Sequence, residues 1–145
     1  MRDAVTPDFE SYVMMARGFY KAAGLCSDDF DFMPVDLQAP CVVNLIFACE
    51  LGLKAILIHE RGCSAKTHKL WDLHCRLSEN AQKKLEDIYS KRSARYTVEE
   101  TLKQNNDAFC EWRYSFERTE ELSILITDVL ILWHSIDEYI SDLWG

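Results

Sequence analysis

Apolar residues fill segment 39–60, APCVVNLIFACELGLKAILIHE, at almost every helical phase. A helix that is apolar on all sides lies inside a domain and not on its surface. Glu50 and Lys54 interrupt the segment four positions apart, with Glu first, which is the favourable order for a helical ion pair. Because a buried charge must be paired or hydrogen-bonded, the pattern predicts a buried central helix, from about Pro40, that carries an ion pair. Gly62 is expected to end this helix as a C-cap.

A first helix is predicted from Asp8 to about Ala23, because its apolar positions recur at spacings of three and four and Gly24 follows them. The acidic segment 25–38, which contains Pro34, is predicted to be a loop. Further helices are expected after residues that favour N-cap positions. These N-caps are Thr67, Ser78, Thr97 and Thr119, and the helices they begin cover about 68–77, 79–91, 98–108 and 120–143.

The last predicted helix has more apolar surface than one packing face requires. One continuous stripe is formed by Leu122, Leu125, Ile126, Val129, Trp133, Ile136, Ile140 and Leu143, and other faces carry Ile124, Leu130, Ile131 and Leu132. This surplus indicates either a fully buried helix or a subunit interface, and we favour the interface. The pattern as a whole predicts an all-α, up-and-down bundle of about five to six helices.

Composition agrees with one helical domain over residues 1–145. Apolar residues make up 48% of the chain, and 5 Gly and 3 Pro are few for a turn-rich β fold. The net charge of −8 argues against binding of nucleic acid across the whole protein surface. The basic residues that cluster between Lys83 and Arg95 form either a solvated helix face or, less favoured, a phosphate-binding patch.

The setting that the sequence predicts is cytoplasmic. Six widely spaced Cys residues without a CxxC motif indicate reduced thiols, and the first ten residues lack the apolar core of a signal peptide. The apolar run 122–133 is too short and too polar to span a bilayer, so no membrane association is expected.

His68 and Arg61 are the first candidates for chemistry. The favoured interpretation of His68 is structural, with its ring nitrogens hydrogen-bonded to a carbonyl or a carboxylate. The functional alternative is an Arg61–His68 pair, in which Arg polarises a phosphodiester and His moves protons, as in a metal-free ribonuclease. Zinc binding by Cys63, His68, His74 and Cys75 is a weaker alternative, because the spacing matches no compact ligand pattern. No metal ion and no cofactor is therefore expected.

Arg113 lies between Trp112 and Tyr114, where its guanidinium can stack on a ring and make a two-pronged bond to a carboxylate. Glu50 is the natural partner, because Lys54 alone leaves carboxylate lone pairs unfilled. The structural interpretation is a buried Glu50–Lys54–Arg113 network that fixes helix register. The functional alternative is a polar pocket for a nucleotide or a phosphate.

Three stretches of the chain resemble the HEPN domain proteins, over about residues 5 to 140. They are NLIFACELGLK at 44–54, THKL at 67–70 followed by Leu73, and FCEWRYSFE at 109–117. The resemblance implies a helical bundle that often dimerises, in a bacterial cytoplasmic setting. It also implies roles in RNA cleavage, toxin–antitoxin pairs, phage defence or partnership with nucleotidyltransferases.

Many HEPN ribonucleases carry an Arg-x4–6-His motif near the start of the last major helix, and two such motifs meet at a dimer interface. Here the stretch after Arg113 is Tyr-Ser-Phe-Glu-Arg, without His. The resemblance therefore carries over Glu50, Lys54, His68 and Arg113 as a polar set with an architectural role. The expectation is a non-catalytic homodimeric binding or regulatory module with an RNA, nucleotide or protein partner. The alternative is a metal-independent endoribonuclease that uses Arg and His across a dimer.

Overall fold

A computed structural model describes residues 8–26, 35–92, 96–104 and 119–144. These residues form an all-α helical bundle, and the described ranges contain six helices and no strand. The helices are α1 (Phe9–Cys26), α2 (Val35–Arg61), α3 (Leu70–Arg76), α4 (Glu79–Arg92), α5 (Val98–Gln104) and α6 (Thr119–Trp144). The predicted fold class of about five to six helices is confirmed.

Helix α2 is the centre of the bundle, as its apolar composition predicted. The side chains of Leu45, Leu53 and Ile56 are completely buried. Its most extensive contacts are with α1 and α6, and α3 packs on it as well. Helices α4 and α5 both contact α6, so the two long apolar helices α2 and α6 link all the others.

By length and composition alone, α2 also meets the criteria for crossing a membrane. The segment Ala39–Arg61 has a mean hydropathy of 2.1, and 78% of an 18-residue stretch within it is buried inside the structure. The core helix of a soluble protein meets the same criteria, so this feature is weak evidence for a membrane span.

The loop prediction for segment 25–38 is wrong at both ends. Helix α1 continues past Gly24 to Cys26, and α2 already begins at Val35. Pro40 therefore lies inside α2 instead of opening it. Proline has no N–H, so Pro40 cannot donate to the Asp36 carbonyl, and its ring crowds that carbonyl; the cost is limited because only the first turn of α2 precedes it. The Asn44 Nδ2 amide donates to the Pro40 carbonyl oxygen at 2.9 Å, one turn further along the helix.

Two predicted helix boundaries are confirmed by their hydrogen bonds. Gly62 ends α2 with a φ of +77°, and its N–H donates to the Ile58 carbonyl at 2.7 Å. This left-handed conformation suits glycine because it has no Cβ. Ser78 caps α4, since its Oγ accepts the Ala81 N–H at 3.1 Å.

The predicted N-cap of α5 is confirmed, whereas the predicted N-cap of α3 is wrong. Thr97 Oγ1 accepts the Glu100 N–H at 3.1 Å, as expected of an N-cap. Thr67 does not cap α3, because that helix begins at Leu70 and its N-cap position is Lys69, without a side-chain cap. Thr67 Oγ1 instead accepts the Lys69 N–H at 3.1 Å, in the turn before the helix. The part of the predicted helix 98–108 beyond Gln104 lies outside the described residues.

Carboxylates hold the amino ends of three helices. Asp8 Oδ1 accepts the Ser11 N–H at 2.9 Å at the start of α1, and this hydrogen bonding lowers the pKa of Asp8. Glu60 accepts both the N–H and the hydroxyl of Ser78 at 2.9 and 3.1 Å. Glu86 Oε2 accepts the Val98 N–H at 2.9 Å. A negative charge at a helix amino end also interacts favourably with the helix dipole.

Helix α6 buries most of its described apolar surface within the chain. Val129, Leu132, Trp133, Ile136 and Ile140 are at most 1% exposed. Leu130, Ile131 and Leu143 are half-buried and pack against the same core. The side chains of 119–126 lie outside the described residues. From Thr127 onward, most of the apolar surface of α6 is used inside the bundle, although Trp144 at its end is 49% exposed.

Candidate functional site

A buried ion pair joins two successive turns of α2. Lys54 Nζ lies 3.3 Å from Glu50 Oε2, and the two side chains are 8% and 2% exposed. Residues four apart face the same side of a helix, which places the ammonium beside the carboxylate. The predicted pair in the apolar central helix is therefore present and buried.

His68 contacts the same carboxylate oxygen from outside the helix. It lies in the connection between α2 and α3, and its Nδ1 is 3.2 Å from Glu50 Oε2. Unlike Glu50, the His68 side chain is 68% exposed. The carboxylate thus forms the link between a buried ammonium and an imidazole at the surface.

This contact determines which ring nitrogen of His68 can act as a base. An ionised carboxylate only accepts hydrogen bonds, so Nδ1 must carry the hydrogen that it donates to Glu50. In the neutral ring, the lone pair then belongs to Nε2. A surface imidazole oriented in this way by a carboxylate can accept a hydrogen bond at Nε2 when neutral, donate to an anion there when protonated, or transfer a proton.

Glu50 Oε1 is buried and accepts no hydrogen bond within the described part of the chain. An unsatisfied buried carboxylate oxygen is costly, so a donor is expected there. The predicted donor was Arg113. Both Arg113 and Tyr114 lie outside the described residues, so their membership of the network stays a prediction.

Arg61 lies far from this cluster. It is exposed at the carboxyl end of α2, eleven residues after Glu50, which is about 16 Å along the helix axis. His68 folds back to Glu50 over the same three turns. The chain therefore brings together Glu50, Lys54 and His68. Arg61 lies three turns away from them, at the carboxyl end of α2.

The described residues contain no group of three or more His, Cys, Asp or Glu side chains placed to hold a metal ion. Of the four zinc candidates, Cys63, His68 and Cys75 are exposed and His74 is buried. His74 stacks on Trp71 at a centroid distance of 5.5 Å, in the interior below α3. These four residues thus lie in different environments and do not form one metal site.

Two exposed lysines flank His68 in the sequence. Lys66 and Lys69 are both exposed, so the sequence Lys66-Thr67-His68-Lys69 presents two cations and an imidazole on one short connection. This group, Lys66, His68 and Lys69 together with Glu50 and Lys54 beneath them, is named the His68 cluster. On a chain with net charge −8, two exposed lysines on one short connection favour an anion there over most other parts of the surface.

The basic residues of α4 have a different use. Arg92 Nη2 lies 3.1 Å from Glu138 Oε2, and Lys84 Nζ lies 3.9 Å from Asp142 Oδ2 on α6. Lys84 Nζ also lies 4.8 Å from the centre of the Tyr139 ring. These contacts agree with the solvated-face interpretation of the Lys83–Arg95 cluster, of which Arg95 lies outside the described residues.

Sequence reasoning missed His74 as a buried polar residue. It is 5% exposed, and its Nδ1 has no hydrogen-bond partner among the described groups. Burial lowers the pKa of His74, and the nearby Glu99 charge opposes this effect. Its position directly after Leu73 and four after Leu70, both buried, was the available signal.

Comparison with known proteins adds no relative. Neither models of protein families, nor curated proteins, nor solved structures give a match to this chain.

Proposed function

We propose that this chain is a non-catalytic, HEPN-like, homodimeric binding module that takes RNA or a nucleotide at the His68 cluster. The observation that carries the proposal is the 3.2 Å contact between exposed His68 and buried Glu50. The carboxylate holds the imidazole in a fixed orientation at the surface, between two exposed lysines. The two lysines supply the donors and positive charges that a phosphate group needs.

The charge distribution supports an anionic ligand. The chain as a whole is acidic, so a long nucleic acid would be repelled from most of its surface. Around His68 the nearest exposed side chains in sequence, Lys66 and Lys69, are basic. Binding is therefore expected to be local, with one or a few phosphates engaged and a shallow dependence on salt.

The placement of Arg61 supports a role without catalysis. Phosphodiester cleavage by Arg and His requires both groups at one scissile phosphate. Within one chain, Arg61 is about 16 Å along α2 from the carboxylate that His68 contacts. The resemblance to HEPN proteins that act in toxin–antitoxin or defence systems suggests a regulatory setting for such a binding module.

A second candidate function is a metal-independent endoribonuclease. The orientation of His68 favours it, because Nδ1 on a carboxylate leaves Nε2 as a base at the surface. In this alternative, a partner subunit supplies the missing Arg from Arg61 or Arg113. The chemistry then occurs between copies and not within one.

The two functions are separated with one RNA. The purified protein is titrated into a fluorescein-labelled single-stranded oligoribonucleotide in the presence of EDTA, and anisotropy and gel mobility are followed together. The binding module predicts saturable binding with intact RNA. Lys66→Ala and Lys69→Ala are each expected to weaken binding about threefold to tenfold, and Lys83→Ala on α4 serves as the matched control.

His68→Ala distinguishes the outcomes further. If the RNA is cleaved by the wild type in EDTA and His68→Ala abolishes cleavage with an unchanged circular dichroism spectrum, the ribonuclease replaces the binding module. If neither binding nor cleavage occurs at protein concentrations of about 100 μM, the RNA-linked role is rejected.

A further inference from the structure

The outward face of α1 is apolar where a surface helix is normally charged. Met14, Met15 and Leu25 are 70%, 50% and 89% exposed, and they are three of the four large apolar side chains that are exposed in the described structure. Gly18 and Ala22 lie between them on the same face, at helical spacings of three and four. The opposite face of α1 packs on α2 through Val13, Ala16 and Ala23. Helix α1 therefore has two apolar faces, and among the described residues only one of them is covered.

This uncovered face contains both a groove and projecting side chains. Met15, Gly18, Phe19 and Ala22 line an open apolar groove of about 270 Å³. A Cβ built on Gly18 meets nothing within 4 Å, so the groove floor is open. Met14 and Leu25 project beside it. A surface that carries a groove and a matching projection can pair with itself, as an interface with two-fold symmetry requires.

We propose that a second copy of this chain covers this face, through antiparallel packing of the two α1 helices with each Met14 in the groove of the other copy. The inference rests on the homodimeric state in the proposed function and assigns its interface to α1. The sequence-based expectation had favoured α6, whose described apolar residues are largely used inside the bundle.

The charges on α1 favour a second copy as the partner and an antiparallel direction for the two α1 helices. Glu10 and Lys21 are exposed on the same edge of α1, eleven residues apart, and they make no ion pair with any described group. When Met14 of one copy lies opposite Gly18 and Phe19 of the other, Lys21 lies within two residues of the second copy's Glu10, or about 3 Å along the axis. An antiparallel pair thus forms two opposite-charge contacts, whereas a parallel pair with two-fold symmetry places this edge of the two helices on opposite sides of the interface, where Glu10 and Lys21 do not meet.

The third charged residue on this edge does not compete for these contacts. Arg17 Nε lies 2.9 Å from Asp137 Oδ1 on α6, and its guanidinium carbon lies 5.1 Å from the centre of the Trp144 ring. Arg17 is therefore directed toward α6 within its own chain. The edge left for a second copy contains one acidic and one basic side chain.

The test is a charge exchange measured by sedimentation equilibrium of the full chain. The wild type is expected to be dimeric, and Met14→Glu is expected to weaken dimerisation at least about tenfold. Glu10→Lys and Lys21→Glu are each expected to weaken it about threefold to tenfold, and the double variant to restore it to within about twofold of the wild type. Lys83→Glu carries the same charge change on α4 and is expected to leave the dimer unchanged.

Three results overturn the inference. A monomeric wild type at about 100 μM rejects both this interface and the homodimeric part of the proposed function. A dimer that is insensitive to Met14→Glu places the interface elsewhere and leaves the proposed function intact. Single variants whose losses add in the double variant reject the antiparallel direction. RNA binding is measured on the same proteins, so a loss of binding without a loss of the dimer is recognised separately.

Discussion

Gly52 of α2 lies directly against Ile136 of α6. A Cβ built on Gly52 would be only 2.6 Å from Ile136 Cγ2, with Trp133 and Ile140 side-chain atoms at 3.5 and 3.7 Å. The two long helices can approach this closely only because position 52 has no side chain. The close approach also brings the most buried part of α6 onto the turn of α2 that carries Glu50 and Lys54.

Gly52→Ala is expected to destabilise the protein by about 1–3 kcal/mol, because the added methyl overpacks a rigid contact. Alanine favours the helix more than glycine does, so a decrease in the free energy of unfolding can only come from the clash with Ile136. Gly24→Ala in α1 is the matched control, since a Cβ there meets nothing within 4 Å. It is expected to be neutral or to stabilise by up to about 1 kcal/mol. Equal effects of the two substitutions in urea unfolding would contradict the close approach.

The buried ion pair predicts a large cost for removing one partner. Lys54→Met leaves Glu50 with only the exposed His68 as a donor among the described groups, and is expected to cost about 3–5 kcal/mol. The double variant Glu50→Leu/Lys54→Met removes both charges and is expected to be more stable than Lys54→Met. Urea unfolding of the wild type, Glu50→Leu, Lys54→Met and the double variant forms a double-mutant cycle, which measures the coupling energy between the two side chains.

His68→Ala provides the contrast to that cycle. Because its side chain is 68% exposed, it is expected to change the free energy of unfolding by at most about 1 kcal/mol. A loss as large as that of Lys54→Met would mean that His68 is a structural element of the core. A small loss together with weakened RNA binding would agree with its place at the surface of the His68 cluster.

The burial of His74 predicts that the folded chain loses stability at mildly acidic pH. Burial lowers its pKa in the folded chain below the ordinary value of 6.5, so between these two values the unfolded chain binds more protons. Its contribution to stability is complete above pH 6.5 and declines as the pH falls below that value. Burial also lowers the pKa of His134, helped by the charge of Arg92, and this adds a change of the same sign.

Melting temperatures measured between pH 7.5 and 5 test this prediction. His74→Gln is expected to flatten the pH dependence, because the neutral amide does not titrate. His134→Gln is expected to flatten it separately, and the two effects to add. A pH dependence that is unchanged in His74→Gln would show that the ring is not forced to stay neutral in the folded chain.

The four described cysteines are expected to react with iodoacetamide in a definite order at pH 8. Cys63 is exposed and should react first, while Cys41 and Cys49 are buried and should react only after unfolding. Burial raises the pKa of the Cys49 thiol strongly, which also disfavours its reactive thiolate. Cys75 is exposed, but partial burial and the nearby Asp72 raise its pKa, so it should be slower than Cys63.

Peptide mass spectrometry at several labelling times measures each cysteine separately. The same reaction in guanidinium chloride is the control, in which Cys63 and Cys75 should lose their difference. Fast labelling of Cys41 or Cys49 in the native protein would contradict their burial in α2.

Residues 39–60 could be predicted well because a helix that is apolar on every face has only one place in a bundle. The Glu50–Lys54 pair followed from the same argument, since burial makes pairing obligatory. A carbonyl or carboxylate partner for His68 was expected, but Glu50 was not singled out beyond its place in the polar set, because the contact depends on how the connection 62–69 folds back over three turns of α2. Gly52 gave no sequence signal, since only the position of α6 makes its missing side chain necessary.

Local sequence rules failed where tertiary contacts decide the outcome. Pro40 was expected to begin α2, although a proline near the amino end of a helix can also lie inside it. The uncovered surface was expected on α6, because its apolar surplus is larger in sequence than that of α1. Whether the extra apolar surface of a helix is covered depends on the arrangement of its neighbours, and α6 has α2, α4 and α5 around it.

The carboxylates at the helix amino ends give the acidity of this chain a structural meaning. Asp8, Glu60 and Glu86 accept backbone N–H groups at the starts of α1, α4 and α5. Protonation of a carboxylate weakens it as an acceptor and removes its attraction to the helix dipole. Because the hydrogen bond from Ser11 lowers the pKa of Asp8, strong acid is expected to fray α1 from its first turn inward, before the apolar interior around α2 unfolds.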